Sequence, residues 1–341
     1  MILAARSLIP LAATAVLFVV LATGFFMSIG QPPLETLWSL VIFSVGDLYS
    51  FSEALAKTAP ILLCALAAAV PGRLGLISVG AEGQLHLGAI AGTAVVLVAP
   101  DLAMPVMIPA IILAAAIGGG VYGYVPGLLR ARLGVNETIS TLVLNYIAVL
   151  FVSALVYGPW RDPASQGWPS TMTFPEAAVF PALPGTRIHL GLLLGILSAI
   201  GLHFFFTYGR RAIQIRILAG NRKVGETFGL SFGTWTIILM ALGGGLAGLA
   251  GIAEVSAIQG RLQPNISLGY GLTGFLVAWL ARHQPLAILP LSLMVGCIVA
   301  ASDALQLFAK IPAASAVVLQ GLLFVSALAA PGLLARFRRI G

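Results

Sequence analysis

Charged residues are scarce in this sequence. Lys, Arg, Asp and Glu together make up 9% of the 341 residues, against roughly a quarter in an ordinary soluble domain. Hydrophobic residues make up 59%, and so few charges cannot cover that much apolar surface in water. The composition therefore excludes a soluble enzyme and predicts an all-α polytopic membrane protein.

Several chemical motifs are also missing. The two cysteines, Cys64 and Cys297, lie far apart in apolar runs, which indicates packing residues rather than a disulfide or a metal site. No Lys follows Gly in a phosphate-loop pattern, and the sequence has no H-E-x-x-H or G-x-S-x-G motif. We therefore expect no catalytic site, no metal site and no cofactor in this chain.

Long apolar runs are what the sequence has instead. A membrane-spanning helix needs about 20 apolar residues, and Pro, Gly or charged residues divide the chain into ten such runs within one transmembrane domain, residues 1–341. The first run is longer than the apolar core of a signal peptide, so we interpret it as a span. The predicted spans are 8–29, 52–70, 77–99, 105–129, 138–157, 188–207, 235–257, 266–281, 285–302 and 313–330.

The distribution of basic residues predicts the orientation. With both termini in the cytoplasm, 13 of the 18 Lys and Arg residues fall on the cytoplasmic side, as the positive-inside rule requires. Arg73, Arg216 and Arg282 are among them. The net charge of +7 therefore reports orientation and does not imply a nucleic-acid partner.

An external hydrophilic segment is predicted at residues 158–187. It contains six prolines together with Trp160 and Trp168. This composition favours an irregular but ordered loop, with its tryptophans at the membrane interface.

The other hydrophilic segment, residues 208–233, is the one sizeable cytoplasmic loop. Asn221 is a good N-cap residue, Val224 and Phe228 are four residues apart, and Gly229 can end a helix. This pattern predicts a short helix within the loop.

Ionisable and amide side chains within the predicted spans are candidates for function, because they are costly in lipid and must face protein or water. The third span carries Glu82, Gln84 and His86, and the fifth carries Asn145. Glu82 and His86 are four apart and can pair on one helix face. Two interpretations remain open for all four residues: they line a solute pathway, or they join helices by hydrogen bonds.

Other polar residues have simpler explanations. Asn136 and Glu137 open the fifth span, where a cap and an acidic residue stabilise a helix start. Glu254 and Asp303 lie near the outer ends of their spans, so we expect them to reach solvent.

Glycines mark two further features. The seventh span contains Gly244 and Gly248, whose spacing permits close packing between helices or subunits. The eighth span is short and glycine-rich, which favours a partly unwound or re-entrant segment. It opens with ISLG at 266–269, which echoes ISVG at 77–80, and the two spans run in opposite directions. This echo predicts a 5+5 inverted repeat.

Two longer stretches resemble a known family. GLISVGAEGQLHLG at 75–88 and LGVNETISTLVLNYIA at 133–148 resemble the permease subunits of ABC importers of the branched-chain amino acid, ribose and nucleoside class. GPWRDP at 158–163 is similar to the nucleoside and simple-sugar permeases within it. The resemblance covers nearly the whole chain.

The resemblance implies the partners and the site of coupling. It implies a multi-pass protein of the bacterial plasma (inner) membrane that imports nucleosides or simple sugars. The implied partners are a second permease subunit that is a different paralogue, a periplasmic or lipid-anchored solute-binding protein, and cytoplasmic ATPase subunits that use ATP. Its relatives carry G-x-N-P-x-A-A where this chain reads GNRKVGETFGL at 220–230, with Arg222 in place of Pro. The implied coupling residues are Gly220, Asn221, Arg222, Val224, Glu226, Phe228 and Gly229.

Two other functions remain open on the residues alone. In a secondary transporter, Glu82 and His86 would carry protons and no ATPase would be needed. In a structural membrane subunit, the same residues would only join helices.

Overall fold

The computed structural model describes residues 2–165, 167–308, 310–312 and 314–340. These residues are almost entirely helical, which confirms the predicted fold class. The α-helices are α1 (Ile2–Ser28), α2 (Pro33–Val45), α3 (Leu48–Gly72), α4 (Ala81–Val98), α5 (Met104–Leu133), α6 (Glu137–Tyr157), α7 (Leu190–Tyr208), α8 (Arg210–Gly220), α9 (Arg222–Thr227), α10 (Phe232–Glu254), α11 (Tyr270–Leu280), α12 (Pro285–Phe308) and α13 (Ala314–Ile340).

Seven helices in the described part of the chain are long and apolar enough to cross a membrane by themselves: α3, α4, α5, α6, α7, α10 with its continuation to Gln259, and α12. The other three predicted spans coincide with α1, α11 and α13. Of these, α11 has 11 residues, which is too short to cross alone.

The helix α2 is a correction to the predicted spans, which left residues 33–45 outside any helix. The apolar segment Ala12–Ser28 and α2 form a pair bent by 117°. Gly30 adopts φ +73 in the turn between them, and Pro33 opens α2. With 13 residues, α2 is too short for the length criterion that identified the other spans, so the sequence pattern missed it.

The chain divides into two compact units, and the first contains residues 1–57 and 294–341. Its core is built by Ala22, Phe26, Leu40, Leu305 and Leu319, which are all buried. Lys57 and Asp303 form an ion pair at 3.0 Å. Asp303 therefore has a basic partner, in addition to the partial solvent exposure that the sequence predicts.

The second unit, residues 58–293, is organised around the packing of α10 against α4 and α5. A Cβ atom added to Gly244 would collide with the Gly119 carbonyl of α5, and one added to Gly248 would collide with the Ala115 carbonyl. The glycines of the seventh predicted span thus allow direct backbone contact between helices of the same chain.

Two non-helical segments interrupt the second unit. The first break (residues 73–80) lies directly before α4, and the second break (residues 260–269) lies directly before α11. ISVG and ISLG occupy the last four positions of these breaks. The structure confirms that the eighth predicted span is partly unwound, and it gives the two tetrapeptides the same place relative to a helix.

Both hydrophilic segments contain short helices. Residues 158–187 include a short 3-10 helix, Glu176–Ala178, and Trp160 packs against the core of the second unit. Trp168 is exposed. In residues 208–233, α9 confirms the predicted short helix, whereas α8 was not predicted, because its 11 residues mix basic and apolar side chains.

Candidate functional site

The first break is held by the amide of Asn145 on α6. Its Nδ2 donates to the Val79 carbonyl at 2.8 Å, and its Oδ1 accepts from the Gly83 backbone N–H at 2.8 Å. Val79 belongs to the break and Gly83 to the first turn of α4, whose N–H groups have no partner within the helix. Asn145 thus supplies both hydrogen bonds that the interrupted backbone lacks at this point.

Other polar side chains of α6 extend this contact along the break. The Ile77 N–H donates to Glu137 Oε1 at 3.3 Å, and Thr138 Oγ1 donates to the Ile77 carbonyl at 3.0 Å. The Val79 N–H donates to Thr141 Oγ1 at 3.4 Å. Side chains on one face of α6 therefore supply hydrogen-bond partners to backbone groups of the break, which are not paired within a helix or a sheet.

Glu137 does more than stabilise a helix start, which is the only role the sequence gave it. Asn136 is the N-cap, as predicted, and accepts from Thr138 N at 2.9 Å. Glu137 is buried and forms an ion pair with Arg130 of α5 at 3.2 Å. Sequence reasoning missed this role, although Glu137, Thr141 and Asn145 follow the four-residue spacing of a polar helix face.

Glu82 joins the N-termini of two helices. It lies in the first turn of α4, and its Oε2 accepts from the Gly271 backbone N–H of α11 at 2.7 Å. A Cβ atom on Gly271 would collide with the Glu82 backbone nitrogen, so glycine is required for this close approach. The Ser267 hydroxyl accepts from Tyr270 N at 3.0 Å and completes the cap of α11.

The length of α11 sets the depth of this junction. A helix of 11 residues is about 16 Å long, roughly half of the hydrocarbon core. Placing the C-terminal end of α11 at the membrane surface would put Glu82 and the start of α11 near mid-depth. Interrupted helices whose N-termini meet at mid-depth are a feature of transporter folds.

His86 and Gln84 lie next to this junction, and both are buried. The Nδ1 atom of His86 lies 2.7 Å from the Glu82 backbone carbonyl. The expected pairing of the His86 and Glu82 side chains is therefore replaced by a contact with the backbone, because the Glu82 carboxyl group is engaged by α11. Gln84 lies against α5, where its amide nitrogen would be 3.2 Å from a Cβ atom added to Gly123.

The second break is held by the external segment 158–187. Thr171 N donates to the Leu262 carbonyl at 3.0 Å, and Leu262 N donates to Thr171 Oγ1 at 3.0 Å. The Phe174 N–H donates to the Gly260 carbonyl at 2.8 Å. The sequence gave no specific signal for this contact, since it joins residues about ninety positions apart.

Glu254 is a correction to the sequence analysis. It was expected to reach solvent at the outer end of its span, but it is only 5% exposed. The helix continues beyond it as a π-helix, Val255–Gln259, and Ser256 hydrogen-bonds to the Phe180 N–H and the Ala178 carbonyl. The external segment therefore contacts the helix directly beyond Glu254.

The segment around α9 forms the second candidate site. Asn221 is its N-cap and accepts from Val224 N at 3.3 Å, as predicted, and Gly229 ends it with φ +74. Val224 is 44% exposed and Phe228 is 72% exposed. Their exposure leaves an apolar surface that the described residues do not cover.

Charged and aromatic contacts fix the geometry of this segment. Arg222 Nε pairs with Glu226 Oε1 at 2.7 Å, and the Arg222 guanidinium lies 4.9 Å from the ring centre of Phe232 on α10. Gly225 packs tightly against Leu218 of α8. The α9 segment thus contacts both α8 and α10.

Known proteins are similar to this chain in sequence over most of its length. The sequence matches the family described as branched-chain amino acid transport system / permease component over residues 50–328. It is 29% identical over 312 residues to the glucose ABC transporter permease protein TsgB13 of Haloferax volcanii, covering 88% of this chain and 81% of the relative.

Two bacterial relatives have similar coverage. The nucleoside ABC transporter permease protein NupB of Lactococcus lactis is 28% identical over 293 residues, 83% of this chain and 80% of the relative. The guanosine ABC transporter permease protein NupP of Bacillus subtilis is 28% identical over 287 residues, which cover 82% of this chain and 79% of the relative. These matches confirm the resemblance found in the sequence, and the chain belongs to the branched-chain amino acid transport system / permease component family.

Proposed function

We propose that this chain forms, with a second and different permease subunit, the membrane pathway of an ABC importer for nucleosides or simple sugars in the bacterial plasma (inner) membrane. The observation that carries the proposal is the exposed apolar surface of Val224 and Phe228 on a capped helix between α8 and α10. The names of the three relatives support the solute class.

The α9 segment suits a docking partner that moves. Val224 and Phe228 would fill an apolar groove of a cytoplasmic ATPase, and Arg222 and Glu226 would lie at its polar rim. Asn221 and Gly229 fix where α9 starts and ends, and Gly220 gives the chain room to turn before it. ATP would be bound and hydrolysed by the ATPase, and closure of the ATPase dimer would move α8 and α10 through α9.

The junction at Glu82 favours an uncharged solute. The N-terminal ends of α4 and α11 carry positive partial charge, which attracts anions. Glu82 already occupies that position, so an anionic solute would meet a carboxyl group there. We assign Glu82, Gln84, His86 and Asn145 to the pathway. Glu82 and Asn145 hold its interrupted helices, and Gln84 and His86 offer neutral hydrogen bonding suited to hydroxyls and base edges.

Delivery of the solute would rest on a periplasmic or lipid-anchored binding protein. The external segment 158–187 is tied to the second break through Thr171 and Phe174. Contact of the binding protein with this segment would therefore reach α11 directly.

The docking role of α9 is tested by charge substitution. Phe228→Asp and Val224→Asp place a carboxylate in the apolar contact, and we expect each to reduce co-purification of the ATPase at least about tenfold, since buried unpaired charge is costly at an interface. The matched control is Ile213→Asp, which changes an equally apolar and exposed residue of α8.

The control separates docking from general damage. Equal ATPase recovery with Phe228→Asp and Ile213→Asp would remove α9 as the docking site. Membrane insertion of each variant is checked by detergent extraction and size-exclusion chromatography.

A further inference from the structure

A cluster of basic groups lies where three helices end. Arg73 directly follows α3, Phe206 is in the last turn of α7, and His283 is in the turn between α11 and α12. Arg282 and His283 lie within this turn and adopt φ +50 and +56. The His283 ring packs on Gly72, where an added Cβ atom would lie 2.5 Å from Nδ1.

The charges of this cluster are close enough to act on one another. Burial, and next the positive charge of Arg216 on α8, lower the pKa of Arg73. Burial, and next the charge of Arg73, lower the pKa of His283. No ion pair among the described residues involves Arg73, Arg216 or His283. The cluster therefore carries positive charge that no carboxylate of the described chain compensates.

Two nitrogen atoms in the cluster also lack hydrogen-bond partners. Arg73 Nε and His283 Nδ1 are buried and unpartnered among the described residues. The Arg73 guanidinium lies 5.3 Å from the centre of the Phe206 ring, which holds its plane against α7. A fixed guanidinium with an unused donor is a geometry suited to phosphate, which accepts several hydrogen bonds at once.

We propose that Arg73, His283 and Arg216 bind the phosphate of an anionic phospholipid at the cytoplasmic surface of the membrane. Nothing in the family comparisons or in the coupling role of α9 assigns a function to these residues. A phosphodiester would satisfy the buried donors and neutralise the cluster, and basic pockets between transmembrane helices at the cytoplasmic side are suited to such headgroups.

The surroundings favour a lipid over free phosphate. The Trp279 ring lies 6.2 Å from His283 in an edge-on arrangement and is half exposed, and tryptophan is enriched at the level of lipid headgroups. The apolar residues of α7 and α11 continue from the cluster toward the membrane core, so acyl chains attached to the bound phosphate would run along them.

The test uses the purified full-length chain in a neutral detergent, with thermal unfolding followed by a thiol-reactive dye that reports exposure of buried Cys64. The probes are dioctanoyl phosphatidylglycerol, dioctanoyl phosphatidylcholine and inorganic phosphate. We expect saturable stabilisation by phosphatidylglycerol and none by phosphatidylcholine, with Arg73→Gln weakening apparent affinity about fivefold, as each basic group near an anionic surface contributes.

Two matched variants keep the result interpretable. Arg282→Gln removes an exposed arginine beside the cluster and is expected to bind like the wild type. Arg216→Gln is expected to weaken binding and serves as the second test variant should Arg73→Gln aggregate on extraction.

Equal affinity for phosphatidylglycerol in Arg216→Gln, Arg282→Gln and the wild type would overturn the proposal. So would equal stabilisation by phosphatidylcholine. Equal stabilisation by inorganic phosphate and phosphatidylglycerol at the same concentration would contradict a lipid ligand, because the acyl chains would then contribute nothing.

Discussion

At the scale of single residues, the most informative side chains are those that replace missing backbone hydrogen bonds. Asn145 supplies a donor and an acceptor to the first break, and Glu82 supplies an acceptor to α11. In the apolar part of a membrane, a backbone group without a partner is costly, so an interrupted helix exists only where neighbours satisfy it. These residues make the interruption possible.

Replacing Asn145 by Leu should destabilise the protein. The Gly83 N–H and the Val79 carbonyl would lose their partners, at a cost of about 1–3 kcal/mol for each buried group. We expect a lower melting temperature in detergent, measured by the thiol-reactive dye. The control is Tyr146→Leu, because Tyr146 neighbours Asn145 but is 68% exposed, and equal melting of the two variants would contradict the role of Asn145.

His283 predicts a pH dependence. Its pKa is lowered from the ordinary value of 6.5 by burial and by Arg73, so the unfolded chain binds a proton at a higher pH than the folded chain. The contribution of His283 to the free energy of unfolding is therefore constant above about pH 6.5. It falls as the pH drops below that value toward the pKa of the folded state. His283→Gln should remove this part of the slope in melting curves from pH 7.5 to 5.5.

At the scale of elements, the packing of α10 depends on glycine at positions that face another backbone. Gly248 lies against Ala115 of α5 and Gly88 of α4, and an added methyl group would collide with main-chain atoms that cannot rotate away. Such contacts are rigid, since backbone carbonyls are fixed by the hydrogen bonds of their own helix.

Gly248→Ala is therefore expected to lower the melting temperature by several degrees, in line with the 1–3 kcal/mol typical of overpacking. Gly201→Ala on α7 is the matched control, because no atom lies within 4 Å of its added Cβ. Similar melting of both variants would show that α10 can move away from α5 at little cost.

The cap of α9 makes another prediction at this scale. Asn221→Ala removes the side-chain acceptor for Val224 N, and a lost N-cap costs about 1 kcal/mol. A helix of six residues has few other bonds to hold it, so we expect weaker ATPase co-purification with little change in melting temperature. Asn136→Ala, at the N-cap of the longer helix α6, provides the comparison.

At the scale of the whole molecule, long apolar runs were sufficient to predict the helical membrane fold. The Gly, Pro and charged residues between the runs predicted the approximate ends of most helices. The short helices α2 and α8 were missed, because 13 and 11 residues give too little periodicity for a span. The echo of ISVG and ISLG was predicted to open two spans, and in the structure each tetrapeptide lies in a break directly before a helix.

The candidate site was only partly predictable. Glu82, Gln84, His86 and Asn145 stood out because polar groups are rare within spans. The partners of Glu82, His86 and Asn145 are backbone atoms, which have no signature in the sequence. Glu254 was predicted to reach solvent, but it is buried. Contacts between residues far apart in the chain are set by tertiary packing, which local patterns do not encode.

The proposed import of a neutral solute, with energy delivered through α9, is tested by uptake of a radiolabelled nucleoside. The cells contain the assembled importer with an active or a catalytically inactive ATPase, and with residues 222–229 present or deleted. We expect uptake only when both the active ATPase and the segment are present. Uptake that persists with the inactive ATPase and collapses when an uncoupler is added would contradict it and would favour proton coupling.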